Sequence, residues 1–579
     1  MRPTTKTLSL GVIGLLLVAL GISLCFLSPT IFRQILQKGL ALSPTSKSFD
    51  VWKDTSSLPP MFMQVYFFNW TNPEELEVPG KKPRFVQVGP YCFREIRQKD
   101  NIKFNHENKT VSYLQRRLWY FEAELSNGSL NDVITCPDPV ASSAAYKIRD
   151  WELEWQATLS LVLGSSDRSI HIHKTVDELT FTGYSDSLFT MGKMMASDDV
   201  PPYDRFAWFY MRNGTTDLDG HFNMETGEDD ISQLGILRKW NYNDAIKFYK
   251  SPCNIVEGSA GEFWPPDRTK DDITLFSTEL CRPIVYEYEK TVSYLGVEGY
   301  RYIMDKKTLG NATKRRYPHE QAKFFEKTTT TEDFFAAEHS VEAVGFTTTT
   351  QSSFNSMPEN ESSENTDEYR DGDPDVVNMG NCYCNGECVP SGLLNVSTCR
   401  FGAPVFVSLP HFHRSDPSIL DQIEGLNPND GDYDFAITLE PTTGIPLQVT
   451  AQLQVNILLQ PSKYVSLYKN VPKIYMPMLW LNLKVGVSEE MAAKLKQLLA
   501  LPTVMLCGGI TIAIVGLCLI GAVVLLYIWR KQPILPKISA EQKQLNDPPE
   551  KKTEMVYMDK ISSNEDGNAR SDRRLYAKP

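Results

Sequence analysis

The stretches TLSLGVIGLLLVALGISLCFL (residues 7–27) and TVMLCGGITIAIVGLCLIGAVVLLYIW (residues 503–529) carry no charge and lie near the two ends of a 579-residue chain. A helix rises about 1.5 Å per residue, so about 20 apolar residues cross the roughly 30 Å hydrocarbon core of a bilayer. Both stretches are long enough. The first exceeds the apolar core of a cleaved signal, about 7–15 residues, and Cys25-Phe26-Leu27-Ser28-Pro29 lacks a pair of small residues for cleavage, so it reads as a retained anchor. Arg2 and Lys6 before the first stretch, and Arg530 and Lys531 after the second, favour the cytosol. The expected order is a cytosolic tail 1–6, a span 7–27, an external domain 28–502, a span 503–529 and a cytosolic tail 530–579.

Other features follow the same partition. Asn69, Asn108, Asn127, Asn213, Asn311, Asn360 and Asn395 each open an Asn-X-Ser/Thr triplet, the acceptor for N-glycosylation, and none lies in a tail. Eight of the eleven cysteines lie between the spans, where an oxidising compartment favours disulfides. Cys25, Cys507 and Cys518 lie within the spans and read as small buried residues, with lipidation as the other reading. The run Cys382-X-Cys384-X3-Cys388-X10-Cys399 has spacings that zinc ligands also use, but the compartment favours disulfides over thiolate ligation. The external domain carries 46 basic and 63 acidic residues, a net charge of −17, and −11 of this falls between Glu326 and Asp375. No basic, aromatic-interleaved face points to nucleic acid.

Residues 314–377 differ from their flanks. They hold two four-threonine runs, many acidic, serine and asparagine residues, and no cysteine, a composition that buries too little apolar surface to offset chain entropy. This segment is read as a disordered, O-glycosylated insertion, with an acidic ligand-binding loop as the other reading. Elsewhere, Phe62 to Phe68, Arg84 to Val88, Thr110 to Leu114 and Leu447 to Leu459 alternate β-branched or aromatic residues with polar ones, as antiparallel strands do. One region departs from this pattern. Val140, Ala144, Ile148, Trp151, Trp155, Leu159 and Val162 recur at helical spacing after Asp138-Pro139, a helix start. A second helix is expected from Thr175, with Glu178 completing a capping box, to Gly183.

With these features in hand, the chain resembles the class B scavenger receptors. The resemblance is carried by Val88-Gly-Pro-Tyr91, Asn213-Gly-Thr-Thr216, Ser408-Leu-Pro-His-Phe412, Gly425-Leu-Asn-Pro-Asn429, Glu440-Pro-Thr-Thr-Gly-Ile-Pro-Leu447 and Pro477-Met-Leu-Trp480. It implies a mixed, mainly β fold: a large antiparallel β-barrel-like ectodomain with an apical helical bundle (138–183) and an internal hydrophobic tunnel, anchored by two transmembrane helices. By position it implies three bridges, Cys253 with Cys382, Cys281 with Cys399, and Cys384 with Cys388. Cys92 and Cys136 remain as an even pair, for which a fourth bridge is left open.

The function implied is that of a plasma-membrane scavenger receptor. It would bind lipid-bearing or anionic particles (lipoproteins, fatty acids, apoptotic or microbial surfaces) and pass lipid through the tunnel. The alternative is an endosomal or lysosomal sorting or adhesion receptor that binds a protein at the apex. No cofactor is expected, and homo-oligomers are left open. Extracting a sixteen-carbon chain into water costs about 12 kcal/mol at about 0.8 kcal/mol per methylene, which an apolar conduit avoids without ATP or a catalytic group. No Gly-X-Ser-X-Gly elbow or phosphate-binding Gly-X4-Gly-Lys-Ser/Thr loop suggests an enzyme, and His171-X-His173 and His411-X-His413 each offer only two metal ligands. In the tail, Asn546 follows Glu541-X3-Leu545 and Lys560 stands three residues after Tyr557, so neither signal for lysosomal sorting is complete.

Two departures bear on the ligand. Some relatives carry an acidic residue just after the Leu-Trp near the second span, whereas Trp480 is followed by Leu481, Asn482, Leu483 and Lys484. The apical lysines of relatives lack a counterpart in Leu163-Gly-Ser-Ser-Asp167. The nearest cationic candidates for a ligand-binding apex are Arg168, His171, His173 and Lys174. Imidazole titrates near about pH 6.5, so acidification is expected to add up to two positive charges there.

Overall fold

Both charge-free stretches fold into helices that outrun them. A computed structural model describes residues 5–57, 59–166, 168–194, 201–311, 314–316, 376–378, 382–384, 388–429 and 433–531. The chain divides into two compact units, residues 1–20 with 511–579, and residues 21–510. Helix α1 spans Thr5–Leu40, a short α2 spans Lys47–Lys53, and the C-terminal helix spans Glu489–Lys531; the first and last are long and apolar enough to cross a membrane. In the first unit they meet through glycines: a Cβ added at Gly14 would stand 2.9 Å from the Gly516 carbonyl oxygen. Small residues permit such close helix crossings. In the second unit α1 continues through Pro29, which deprives the Cys25 carbonyl of its helical donor; Ser28 Oγ donates to that carbonyl at 3.2 Å. Phe32 and Leu36 beyond it are buried, so α1 ends as part of a packed core and not at Leu27.

The strands, in chain order, are β1 Met61–Trp70, β2 Phe85–Asn105, β3 Thr110–Phe121, β4 Val133–Pro137, β5 His171–Thr175, β6 Tyr184–Ser185 and β7 Arg205–Phe206. Then come β8 Phe222–Glu225, β9 Leu237–Trp240, β10 Ile273–Ser277, β11 Arg282–Tyr294, β12 Val297–Ile303, β13 Lys314–Arg316 and β14 Val376–Asn378. The last are β15 Leu394–Asn395, β16 Val405–Ser408, β17 Ala436–Leu439, β18 Pro446–Leu459 and β19 Ile474–Gly486. Thirteen of them make one antiparallel sheet in the order β10-β11-β12-β17-β18-β19-β1-β2-β3-β8-β9, with β16 added to β18 and β15 to β16. Its two edges come together through one extended residue. Ser259 bridges Ile236 beside β9 and Leu275 in β10, and Leu237 N–H donates to the Gly258 carbonyl at 2.8 Å. The sheet is thus a nearly closed barrel.

β18 shows why these residues make such a wall. Val449, Ala451, Leu453 and Val455 point to the lumen, as a period of two requires. Between them, Gln452 donates to Asn482 Oδ1 at 3.2 Å, and Asn482 to Gln64 Oε1 at 2.8 Å, so a row of side-chain amides ties β18, β19 and β1 together. The alternation legible in the sequence therefore separates lumen from wall.

Helices cover the Leu459 end of β18. The stretch expected as one helix from Pro139 is two, α3 Pro139–Lys147 and α4 Leu153–Ser165. Gln156 Nε2 donates to the carbonyls of Arg149 and Trp151, satisfying the turn between them, and an apolar period that runs on unbroken gives no sign of such a break. A short helix, α5 Val176–Thr180, begins with the Thr175–Glu178 capping box. Residues 171–175, expected between helices, form β5 and pair with β4. The ends of the acidic insertion, β13 and β14, pair with each other; the residues between them lie outside the described set.

Candidate functional site

The barrel encloses a cavity of about 1340 Å³. Drug-sized ligands occupy pockets of about 300–1,000 Å³, so this one suits longer molecules. Trp151 and Trp155 line it by α4, and Val487 and Met491 line it near the Leu447 end of β18. It therefore follows β18, whose 14 residues extend roughly 43 Å at about 3.3 Å each. Most of the lining is aliphatic or aromatic, and alternate residues of β1, β18 and β19 contribute to it.

The wall made by β2 and β3 is different. Glu95, Arg97, Gln115 and Arg117 line the cavity in phase with Tyr113 and Trp119. Arg97 and Arg117 stand opposite each other in the β2–β3 ladder, a like-charge pairing that destabilises strands unless acids intervene. Glu95 Oε1 holds Arg97 Nε at 2.6 Å, and Asp219 Oδ2 holds Arg117 Nε at 2.7 Å. Glu279 is shared by three guanidinium groups: Arg117 Nη1 at 3.2 Å, Arg212 Nη1 at 2.7 Å and Arg400 Nη2 at 3.2 Å. Gln115 donates to Asp219 at 3.1 Å and accepts from Lys99, which also pairs with Glu262 at 2.5 Å. Burial alone would raise the Glu279 pKa, but Arg212, Arg117 and Arg400 outweigh it and hold the carboxyl well below the usual carboxylate range. Burial pushes the Arg400 guanidinium down, against the opposing pull of Glu279.

Local sequence explains how distant residues converge here. Cys253 is bridged to Cys382, Cys281 to Cys399, and Cys384 to Cys388, with Cα separations of 5.5, 6.4 and 4.5 Å. The Cys281–Cys399 bridge brings together Glu279, two residues before one half-cystine, and Arg400, one residue after the other. Asn213 clamps the edge of β3, accepting from Trp119 N–H and donating to Trp119 C=O, both at 3.0 Å, which sets Arg212 beside Arg117. Neither cluster nor clamp follows from single-residue patterns. The available signals were charges in phase with lumen-facing aromatics and the cysteines beside Glu279 and Arg400.

The other expected site residues fall elsewhere. Cys92 and Cys136 carry free, buried thiols on separate sheets, Cys92 opposite Gln64 and Cys136 opposite Ile172, so no fourth bridge joins them. Asn108, Asn127, Asn213 and Asn311 are exposed and Asn69 is half-buried, while Asn360 lies outside the described residues. Asn395 is 8% exposed, and its Oδ1 accepts from Ser397 N–H and Oγ. Arg168 is corrected as a ligand-facing group. It donates to Asp138 Oδ2 at 2.6 Å and pairs with Asp186, because the fully buried Asp138, which caps α3, needs a countercharge. Lys174 lies 3.5 Å from Glu178 and over the Tyr184 ring. His171 and His173 have ring centroids 5.1 Å apart; His171 lies 3.7 Å from Glu74, and His173 Nδ1 is 2.8 Å from Thr135 Oγ1. Of the second histidine pair, His411 bonds Gln87 and His413 bonds the Pro428 carbonyl.

A nearly closed barrel around a long, largely apolar cavity, in a chain with two helices able to cross a membrane, fits a class of membrane receptor, and comparison with known proteins agrees. The sequence model of the CD36 family matches residues 12–527, and the chain belongs to that family. It is 34% identical to Protein peste of Drosophila melanogaster over 522 residues, covering 89% of this chain and 81% of that protein. It is 29% identical to Scavenger receptor class B member 1 of Rattus norvegicus, covering 83% and 81% respectively. Identity to Lysosome membrane protein 2 of Homo sapiens is 27%, covering 84% and 88%. The family supports a receptor role.

Proposed function

We propose that this chain is a cell-surface scavenger receptor, both termini cytosolic, that captures lipid-bearing or anionic particles at the α3–α4 end and passes lipid along the cavity to the membrane. The observation that carries the reading is the apolar cavity that follows β18 from Trp151 and Trp155 to Met491 of the C-terminal helix. A chain moving in such a lumen avoids most of the roughly 12 kcal/mol that crossing water would cost for sixteen carbons. The test is uptake of a fluorescent fatty acid or modified lipoprotein by a non-phagocytic cell expressing the chain. Ala451 faces the lumen, so Ala451→Phe should narrow it and reduce uptake at least several-fold at equal surface display. Absence of uptake of any lipid cargo by the displayed wild type sinks the proposal.

A second reading, a sorting or adhesion receptor of endosomes or lysosomes, draws support from α4. Leu153 and Leu161 of that helix are exposed apolar side chains available to a protein partner. Imaging the full-length chain separates the two readings: tail-dependent lysosomal residence favours the second.

A further inference from the structure

Among the described residues, the charged wall has an imbalance that its own carboxylates do not cancel. Arg117, Arg212 and Arg400 converge on Glu279, and Asp219 adds one further carboxylate, so three cations face two anions. Extending the count to Arg97 with Glu95 and Lys99 with Glu262 adds balanced pairs and leaves the surplus unchanged. A surplus cation in a half-buried wall is left to pair with an anion that reaches it. This one persists in an external domain whose net charge is −17. Its position is also specific. Arg212 and Arg400 lie deep in the protein yet keep 18% and 35% of their side-chain surface accessible, and both line the cavity. Elsewhere the lining is largely apolar, with Leu453, Val455, Leu479 and Leu481 among its walls. A cluster of guanidinium groups in the wall of a largely apolar bore matches an anionic headgroup on a hydrocarbon tail.

We propose that Arg212 and Arg400, backed by Arg117 and Glu279, form a headgroup site inside the cavity for an amphiphile with a single anionic group, a carboxylate or a phosphate. The guanidinium forks supply paired donors for either oxyanion. Glu279 holds the three forks in place and stays ionised through the endosomal pH range, because the guanidinium groups keep its pKa well below the usual carboxylate range. The site selects headgroup charge, whereas the apolar walls accept tails of many kinds. It rests on the reading that the cavity takes lipid, and goes beyond it by naming where in the lumen a charged lipid stops.

The experiment uses the full-length chain in neutral detergent with three fluorescent probes of equal tail length: hexadecanoate, its methyl ester and hexadecyl phosphate. Arg400→Gln and Arg212→Gln should each weaken the anionic probe that binds best by about tenfold or more, the loss of a charge-assisted hydrogen bond, and leave the ester unchanged. Whether hexadecanoate or hexadecyl phosphate loses more identifies the headgroup. Equal losses for anion and ester, or no loss for either anion, overturn the site. If the arginine variants fail to fold, the wild-type protein decides: an anion-to-ester affinity ratio near one also overturns it. The cavity reading fails separately, if Ala451→Phe weakens none of the three probes.

Discussion

Gly425 sits at φ +89°, and a Cβ there would overlap the Phe85 carbonyl oxygen, so its place in Gly425-Leu-Asn-Pro-Asn429 is a backbone requirement. Asn213 is similar: a sequon by pattern, it is a strand clamp by geometry. Such residues were legible as tags, but their tasks depend on partners 94 and 340 positions away, which no local pattern encodes. The histidines show the same limit. Burial pushes the His171 imidazole below its ordinary value, with Glu74 opposing and His173 adding to the depression. A depressed histidine pKa means that the unfolded chain binds the proton more readily, so stability present above about pH 6.5 is lost as pH falls below it. His171→Gln should therefore flatten the decline in melting temperature between pH 7.5 and pH 5. An unchanged decline would show that this imidazole is not responsible.

At the scale of elements, apolar period was a good guide to strands and a poor one to helix ends. β18 was legible in full because lumen and wall demand opposite chemistry at alternate positions. The split between α3 and α4 was hidden, because Ile148, Trp151 and Trp155 keep helical spacing across the turn. The insertion is a third case. Its composition sets it apart, and the pairing of Lys314 with Asn378 and Arg316 with Val376 brings its two ends to the spacing of adjacent strands, about 4.8 Å. Closing a long flexible loop costs only about 0.6 kcal/mol per doubling of length. Deleting residues 325–375 should thus leave surface display and melting temperature nearly unchanged. A large drop in either would show that the segment is part of the core.

At the scale of the molecule, the barrel is a hoop with a clasp. Most neighbouring strands share several paired residues, but β9 and β10 are joined through the short run at Gly258 and Ser259, which makes one bridge to each side. Strain carried around a hoop is released at its weakest link. The amides of Leu237, Ser259 and Phe276, which donate across this clasp, should exchange with deuterium before those of β18 and β19, and equal protection would show the hoop to be uniform. Ala260, Gly261, Glu262 and Phe263 follow the clasp directly and line the lumen, and Glu262 pairs with Lys99 of the charged wall. The join that closes the hoop is thus also a piece of the cavity wall, set beside its charged residues, so loosening one would unsettle the other.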